Sequence, residues 1–445
     1  MSAPVIVSKF GGTSMGTLEA MEKSATICLE HNSTIAVVSA TSGTTDQLID
    51  IARAASRGET EHCEKLVFTL KERHLSMLSE DKKHLLHSFF TELDLLVQNV
   101  SLLKELTPRA SDHILSLGER MSSLIFREVL KTKFPSKKVV LLDARFVIVT
   151  DSNFGKATPL IERIAQECGK LELDGSHLYV TQGFIGADAQ GNTTILGRGG
   201  SDYSAALFAE GVNANVLEIW TDVAGIATTD PRLCPNAQII PELSYQEAGE
   251  MAQYGAKILH PATIAPAVRK SIPVFVGSTF DKDAPGTWIK SKVESKPAVR
   301  AITMRNKQAL LTITNPKMLN AYGFMGEAFG IFGKHRISID CVTTSELSVA
   351  VTVDHSTLNN SKFMEDLAAV GTIGVETEQS LISLIGNDLV NRAGLAKKIF
   401  STVDEESIRM MSLGASPYNF NFLVKESDAK ICVQKLHKAM IEAER

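Results

Sequence analysis

Two glycine-rich runs carry the residues with the clearest capacity for chemistry. In Lys9-Phe10-Gly11-Gly12-Thr13-Ser14 a lysine ends an apolar run, two glycines follow, and hydroxyls open the next segment. Glycines let a backbone approach a ligand, and N–H groups at a helix start suit a phosphate. A lysine there can neutralise charge on a transferring phosphoryl group. The lysine precedes the glycines and GxxxxGK is absent, so this is not the Walker loop. Taken alone, the run reads equally well as a glycine turn with a surface lysine. The second run, Gly197-Arg198-Gly199-Gly200-Ser201-Asp202, precedes Tyr203 and the helical stretch Ser204-Ala205-Ala206-Leu207. Arg198 could grip a carboxylate through two parallel hydrogen bonds. Ser201 or Asp202 could cap the helix, and a plain N-cap is the commoner role for such an aspartate. Two glycine cradles in one α/β unit shift the balance toward phosphate chemistry.

A third group is Trp220-Thr221-Asp222-Val223-Ala224-Gly225 with Thr228-Thr229-Asp230-Pro231-Arg232. Two acids and a base after a strand suit the ribose and phosphates of a nucleotide. Asx-type turns explain Asp230 before Pro231 equally well. Lys257, in Tyr254-Gly255-Ala256-Lys257-Ile258-Leu259-His260-Pro261, offers a second positive group, and His260 reads as structural.

These groups need elements to hold them. Residues 4–10 read as a buried strand ending at the glycines, followed by a helix with Leu18, Met21, Ala25 and Leu29 at helical spacing. Ile35–Ser39 is a second strand, ending in the small-residue loop 40–45. The rhythm resumes at Val139–Asp143, His177–Thr181, Val216–Trp220 and Val274–Val276. Strand, Gly/Ser/Thr loop, then helix predicts an α/β sheet with ligand loops at strand ends. Residues 58–105, with Leu66, Leu70, Leu85, Phe89, Leu93 and Leu96, read as a helical insertion of amphipathic helices packed on a core or a partner.

At 445 residues the chain exceeds one ordinary core, so two or three domains are expected. A net charge of -5 offers no basic field for nucleic acid. Six scattered cysteines without a CxxC pair point to reduced thiols in a cytoplasmic protein, with no metal site. No apolar run reaches about 18 residues, so no membrane span is expected, and strand-like sequence at the start leaves no room for a signal peptide. Composition turns polar and lysine-rich around 281–300, and a domain boundary is placed just after it, near 300. Beyond it, Leu310–Val353 repeats as Leu381–Val424 at an offset of 71 residues, aligning Gly323 with Gly394, Phe329 with Phe400 and Ile337 with Ile408. Each copy is small, and packing the two together buries what neither buries alone.

The runs Lys-Phe-Gly-Gly-Thr-Ser, Gly-Arg-Gly-Gly-Ser-Asp, Trp-Thr-Asp-Val and Gly-Ala-Lys-Ile-Leu-His-Pro, in this order, resemble the aspartokinases of the amino-acid kinase family. Residues 301–445 resemble their paired ACT regulatory units. The resemblance spans nearly the whole chain. It implies an amino-acid kinase fold over 1–298, a largely parallel sheet sandwiched by helices, then α+β ACT units at 301–380 and 381–445 whose strands sometimes interleave. It implies ATP-dependent phosphorylation of L-aspartate to 4-phospho-L-aspartate, the first step toward lysine, threonine and methionine, with Mg²⁺ accompanying the nucleotide. By the same resemblance, Lys9, Gly11, Gly12 and Ser14 surround the transferring phosphoryl group, Ser39 and Thr45 hold aspartate, and Glu119 meets its ammonium. Arg198 pairs with the α-carboxylate, Asp202 orients Lys9, and Thr221, Asp222, Arg232 and Lys257 hold ATP. One departure is Ala227, where relatives often carry an aromatic residue. A carboxylate with pKa near 3.9 is already ionised at neutral pH, so no general base is required.

For the tail the resemblance implies an amino-acid sensor. Met318, Asn320, Ala321, Phe324 and Met325 precede the first ACT helix, and Ser338, Ile339, Asp340, Ser345 and Glu346 follow it. Asp340 and Glu346 would recognise a cationic side chain, which points to L-lysine as inhibitor; as solvated turn residues they would have no such role. The second copy, with Arg409 and Pro417 in the corresponding stretches, is expected to serve contacts in a homodimer or homotetramer. Competing expectations are a kinase for glutamate, acetylglutamate or a nucleotide, or a catalytically weak sensor. Nothing follows the second copy, so a monofunctional enzyme is expected.

Overall fold

The computed structural model describes residues 4–255, 261–319 and 322–443. Lys257, Asn320 and Ala321 lie outside them. The chain forms two compact units, one gathering 1–226, 241–245 and 259–292, the other 227–240, 246–258 and 293–445.

The first unit opens with β1 (Ile6–Phe10), α1 (Leu18–Glu30), β2 (Ile35–Val38), α2 (Thr44–Arg57), α3 (Thr60–Leu75), α4 (His87–Leu103) and α5 (Pro108–Lys133). It continues with β3 (Lys138–Leu142), α6 (Ile161–Cys168), β4 (His177–Gln182), β5 (Ile185–Ala187), β6 (Thr193–Ile195), α7 (Gly200–Gly211) and β7 (Val216–Thr221). After β8 (Glu242–Ser244) and α8 (Tyr245–Gln253), most of which belongs to the second unit, come α9 (Pro261–Arg269), β9 (Val274–Ser278) and β10 (Thr287–Lys290). Eight strands form one sheet in the order β3-β4-β2-β1-β7-β9-β10-β8. All neighbours are parallel except β9 and β10. β2 and β4 are buried at every residue, as strands covered on both faces should be.

Glu218, a buried acid on β7, is paired through both carboxylate oxygens. The Glu218 carboxylate accepts from Ser8 Oγ at 2.8 Å and Trp220 Nε1 at 3.0 Å, and meets His31 Nδ1 at 2.8 Å. Pairing of this kind is what makes a buried charge tolerable. The insertion between α2 and α5 is helical, and α3 and α4 both pack on α2. Thr107 caps α5 by accepting from Ala110 N, with Pro108 at the first helical position.

The second unit adds β11 (Ala301–Thr314), α10 (Phe324–Lys334), β12 (Cys341–Thr344), β13 (Ser348–Asp354), α11 (Ser361–Ala368) and β14 (Thr372–Ile385). It ends with α12 (Leu395–Thr402), β15 (Met410–Ser412), β16 (Asn419–Lys425) and α13 (Glu426–His437). Six strands form an antiparallel sheet, β12-β13-β11-β14-β16-β15. The two central strands run 14 residues each and lie side by side, Ala301 opposite Ile385 and Thr314 opposite Thr372. The later half of β11 pairs with β13, and the later half of β14 with β16. Each half-sheet therefore draws a strand from both repeats, and residue 380 lies within β14. Two cores result. One holds Leu311, Ile313, Phe332, Val351 and Phe363, the other Ile382, Leu384, Ile399, Phe420 and Val433. Gly323 and Gly394, aligned by the repeat, cap α10 and α12 with φ of 90° and 83°, a conformation that favours glycine.

Candidate active site

β1 has β2 on one side and β7 on the other, so the chain's order reverses there. In open α/β sheets ligands bind at such a switch point, beyond the carboxyl ends of the strands. The loops after β1, β2 and β7 meet at that end, as does the start of α7.

Lys9, the penultimate residue of β1, places its Nζ 2.6 Å from Asp202 Oδ1, with the side chains 10% and 17% exposed. The cap of α7 is Gly199, with φ 71° and no side-chain cap bond, and Asp202 sits in the first turn. Its carboxylate therefore goes to Lys9. Gly11 N donates to Trp220 O at 3.0 Å, tying the first glycine loop to the end of β7. A Cβ on Gly11 would stand 3.6 Å from Lys9 Nζ, and one on Gly12 would be 3.4 Å from Ala40 O. Side chains there would occupy the space around the lysine and the second loop. Ser14 is buried, and its hydroxyl shares a 2.8 Å hydrogen bond with Thr279 Oγ1. It fastens the loop to the segment after β9, a partner that nothing in the sequence marked.

Ser39 N donates to Phe10 O at 3.1 Å, and Thr45 stands half-buried in the first turn of α2. Across from them α5 comes very close: a Cβ on Gly118 would lie 2.9 Å from Ala40 Cβ and 3.2 Å from Thr44 Cγ2. The next residue, Glu119, is 3% exposed. Its carboxylate accepts from the Ala40 backbone, its Oε2 has no partner among the described residues, and burial pushes its pKa up to about 8. A buried acid with a vacant oxygen suits a cationic ligand group. Arg198 is exposed between Gly197 and Gly199, both at positive φ, and forms no ion pair among the described residues. Its fork is available to an anion.

Thr221 ends β7 and donates to Asp222 Oδ1 at 3.1 Å, with Asp222 exposed. Arg232 belongs to the second unit, exposed and paired with Asp230 through Nε at 3.0 Å and Nη2 at 2.6 Å. Ala227 lies in the same segment, bridged to Ile239. Lys257 lies outside the described residues. Thr41 lies in the strand-end loop read from the sequence, whereas Arg73 and His74, unmarked there, join this neighbourhood through hydrogen bonds to that loop.

Of the tail residues, Asp340 has an enclosed side chain, 3% exposed. Its Oδ1 meets Arg305 Nη1 at 2.7 Å, its Oδ2 has no partner among the described residues, and desolvation, against Arg305, raises its pKa. Met318, Phe324 and Ile339 pack on the first core of the second unit. Met325, Ser338 and Glu346 are exposed, and the Ser345 hydroxyl pairs with Ser348 Oγ at 2.8 Å.

Residues 4–278 match the model of the amino acid kinase family, and 382–440 that of the ACT domain. The chain is 42% identical to lysine-sensitive aspartokinase 3 of Escherichia coli, covering 98% of this chain and 99% of that protein. It belongs to the aspartokinases. Two crystal structures of E. coli aspartokinase III resemble it at 40% identity. The complex with aspartate and ADP (R-state) has a TM-score of 0.86 over 98% of this chain and 99% of that one. The complex with lysine and aspartate (T-state) has 0.82 over 99% and 100%. The paired Lys9 and Asp202 thus sit in an aspartokinase fold, at the strand ends where the sheet order reverses.

Proposed function

We infer that this aspartokinase transfers the γ-phosphoryl group of ATP to the side-chain carboxylate of L-aspartate, forming 4-phospho-L-aspartate, with feedback inhibition by L-lysine. The observation that carries the reading is the shielded Lys9–Asp202 pair at the switch point, 2.6 Å apart. A β-carboxylate oxygen of aspartate forms the new P–O bond. The bond from the γ-phosphorus to the bridging oxygen breaks, and ADP leaves with that electron pair. The nucleophile is already ionised, so the enzyme aligns reactants and neutralises charge. Lys9 draws charge from the transferring group, and Asp202 fixes the lysine's direction. Gly11 and Gly12 leave room for phosphate, and Ser14 braces their loop. Arg198 takes the α-carboxylate, Glu119 the ammonium, and Ser39 and Thr45 line the same pocket. Thr221 and Asp222 face the nucleotide, with Arg232 and Lys257 assigned to its phosphates.

The metal is proposed to be Mg²⁺. Among the described residues no group of three or more His, Cys, Asp or Glu is placed to hold a cation, which fits an ion carried mainly on phosphate oxygens. When bound it would withdraw charge from those oxygens. The domain assignment proposed is a kinase domain over 1–298 and two regulatory copies over 301–445 that share their long strands. Lysine is assigned to the first copy, with its ammonium on the free oxygen of Asp340. A homodimer or homotetramer through the regulatory copies is supported by apolar side chains left exposed there, Val342, Leu347, Met411 and Leu413. Six buried free cysteines support a cytoplasmic setting. No described helix is long and apolar enough to cross a membrane.

A coupled ADP-release assay with aspartate and with glutamate, each with and without lysine, tests the reading. Aspartate turnover suppressed by lysine is expected. Turnover of glutamate alone would overturn it.

A further inference from the structure

The loop after β2 is held by a hydrogen-bond chain that runs into the helical insertion. Arg73, near the end of α3, donates through Nη1 to Ser42 O at 3.1 Å and through Nη2 to Thr44 Oγ1. Thr44 and Thr41 share a hydroxyl–hydroxyl bond at 2.5 Å, and Thr41 Oγ1 lies 3.2 Å from His74 Nε2. The far nitrogen of His74, Nδ1, meets Leu70 O at 2.8 Å.

Every proton in this chain is assigned by its ends. A backbone carbonyl only accepts, so Nδ1 of His74 carries the hydrogen and donates to Leu70 O. His74 is fully buried, and desolvation lowers its pKa to about 4, so the ring is neutral and Nε2 is an acceptor. Thr41 then donates to Nε2 and accepts from Thr44. Arginine only donates, so Thr44 accepts from Arg73, which completes the sequence. Chains running in one direction strengthen their members by mutual polarisation. Arg73 has no carboxylate partner among the described residues, and its Nε is buried and unpaired. Gly43, at φ 74°, holds a conformation that favours glycine, and a Cβ there would stand 4.0 Å from Arg73 Nη1.

The loop is thus gripped on two sides, by Gly118 and Glu119 of α5 and by Arg73 and His74 of α3. We propose that Arg73 and His74 are positioning residues for the aspartate subsite, the insertion serving to fix the peptide and hydroxyl directions of residues 39–45. This rests on the assignment of Ser39, Thr45 and Glu119 to aspartate.

The test is steady-state kinetics on the full-length enzyme, varying aspartate and ATP separately. Arg73→Ala removes the bonds to Ser42 O and Thr44, and Thr41→Val, nearly isosteric and outside α3, removes those to Thr44 and His74. Each is expected to raise KM for aspartate on the order of tenfold, the loss of one or two hydrogen bonds, with KM for ATP changed less than about twofold on that scale. Thr41→Ser, which restores the hydroxyl, is expected to return the aspartate KM toward the parent. An unchanged aspartate KM in Thr41→Val, or a rise in both KM values that Thr41→Ser does not reverse, would overturn the proposal. Glu119→Gln distinguishes aspartate binding from the clamp. If it raises the aspartate KM while Thr41→Val does not, only the clamp fails. If it leaves that KM unchanged, the aspartate assignment fails and the clamp's role in binding falls with it.

Discussion

The pKa of Glu119 bears directly on how its site responds to pH. Burial holds it up to about 8, so below that pH the free enzyme carries a neutral acid, whereas the substrate ammonium requires the carboxylate. Binding then expels a proton, and the aspartate KM is expected to rise as pH falls below about 8. A profile of kcat/KM for aspartate between about pH 6 and 9 should show this inflection, and Glu119→Gln should abolish it. A flat profile in the parent would exclude the role. The sign for stability follows from the same shift. The folded chain keeps a proton that the unfolded chain has lost, so this residue's contribution weakens as pH rises from the ordinary carboxyl range to about 8. At Lys9 the consequence is kinetic. Lys9→Ala is expected to lower kcat by about 10² or more while thermal denaturation shows a native-like cooperative transition. Near-normal turnover would remove Lys9 from the chemistry.

Among elements, α5 is the one whose sequence reads as ordinary and whose placement is not. Its Gly118 is where the helix meets the loop after β2, and an added methyl would sit 2.9 Å from Ala40 Cβ and 3.2 Å from Thr44 Cγ2. Gly118→Ala should improve intrinsic helix propensity yet destabilise the protein by about 1–3 kcal/mol through overpacking. It should also raise the aspartate KM, because the loop must move. Urea denaturation and aspartate saturation curves measure both, and a stabilised variant with normal KM would contradict this packing. The long strands β11 and β14 make a second point. The repeat in the sequence aligned Gly323 with Gly394 and Ile337 with Ile408, which is enough to see two copies. Where one copy ends could not be seen, because pairing of residues 301–305 with 381–385 is a choice of partner made across the sheet.

For the molecule as a whole, the regulatory unit is expected to sense a cation. Asp340 holds Arg305 with one oxygen and leaves the other vacant in a desolvated setting. Asp340→Asn should raise the lysine concentration for half-inhibition at least about tenfold, the cost of losing a charged hydrogen bond. An inhibition curve on the full-length variant decides it, and unaltered lysine sensitivity would place the effector elsewhere. Association is tested by sedimentation of Met411→Lys, which puts a charge on an exposed apolar patch and should shift the enzyme toward smaller species.

Much of this protein is written locally. Strands such as Ile35–Val38 are continuous apolar runs, the glycines of the two cradles are backbone requirements, and the order of the motifs is a property of the chain. Those features sufficed for the α/β class, for the phosphoryl chemistry and for the aspartokinase resemblance. What the sequence left open was decided by partners far apart in the chain. Asp202 could have been a helix cap, but Gly199 takes that place and the carboxylate turns to Lys9. Arg73 and His74 looked like two residues of an amphipathic helix, because a periodicity records which face is buried and not which loop a side chain reaches. The run Lys9–Ser14 alone was either a turn or a cradle, and it is the packing of β1 between β2 and β7 that brings it beside α7. Propensity and pattern act over a few residues, whereas hydrogen-bond partnership between residues a hundred or more apart is fixed only when the sheet closes.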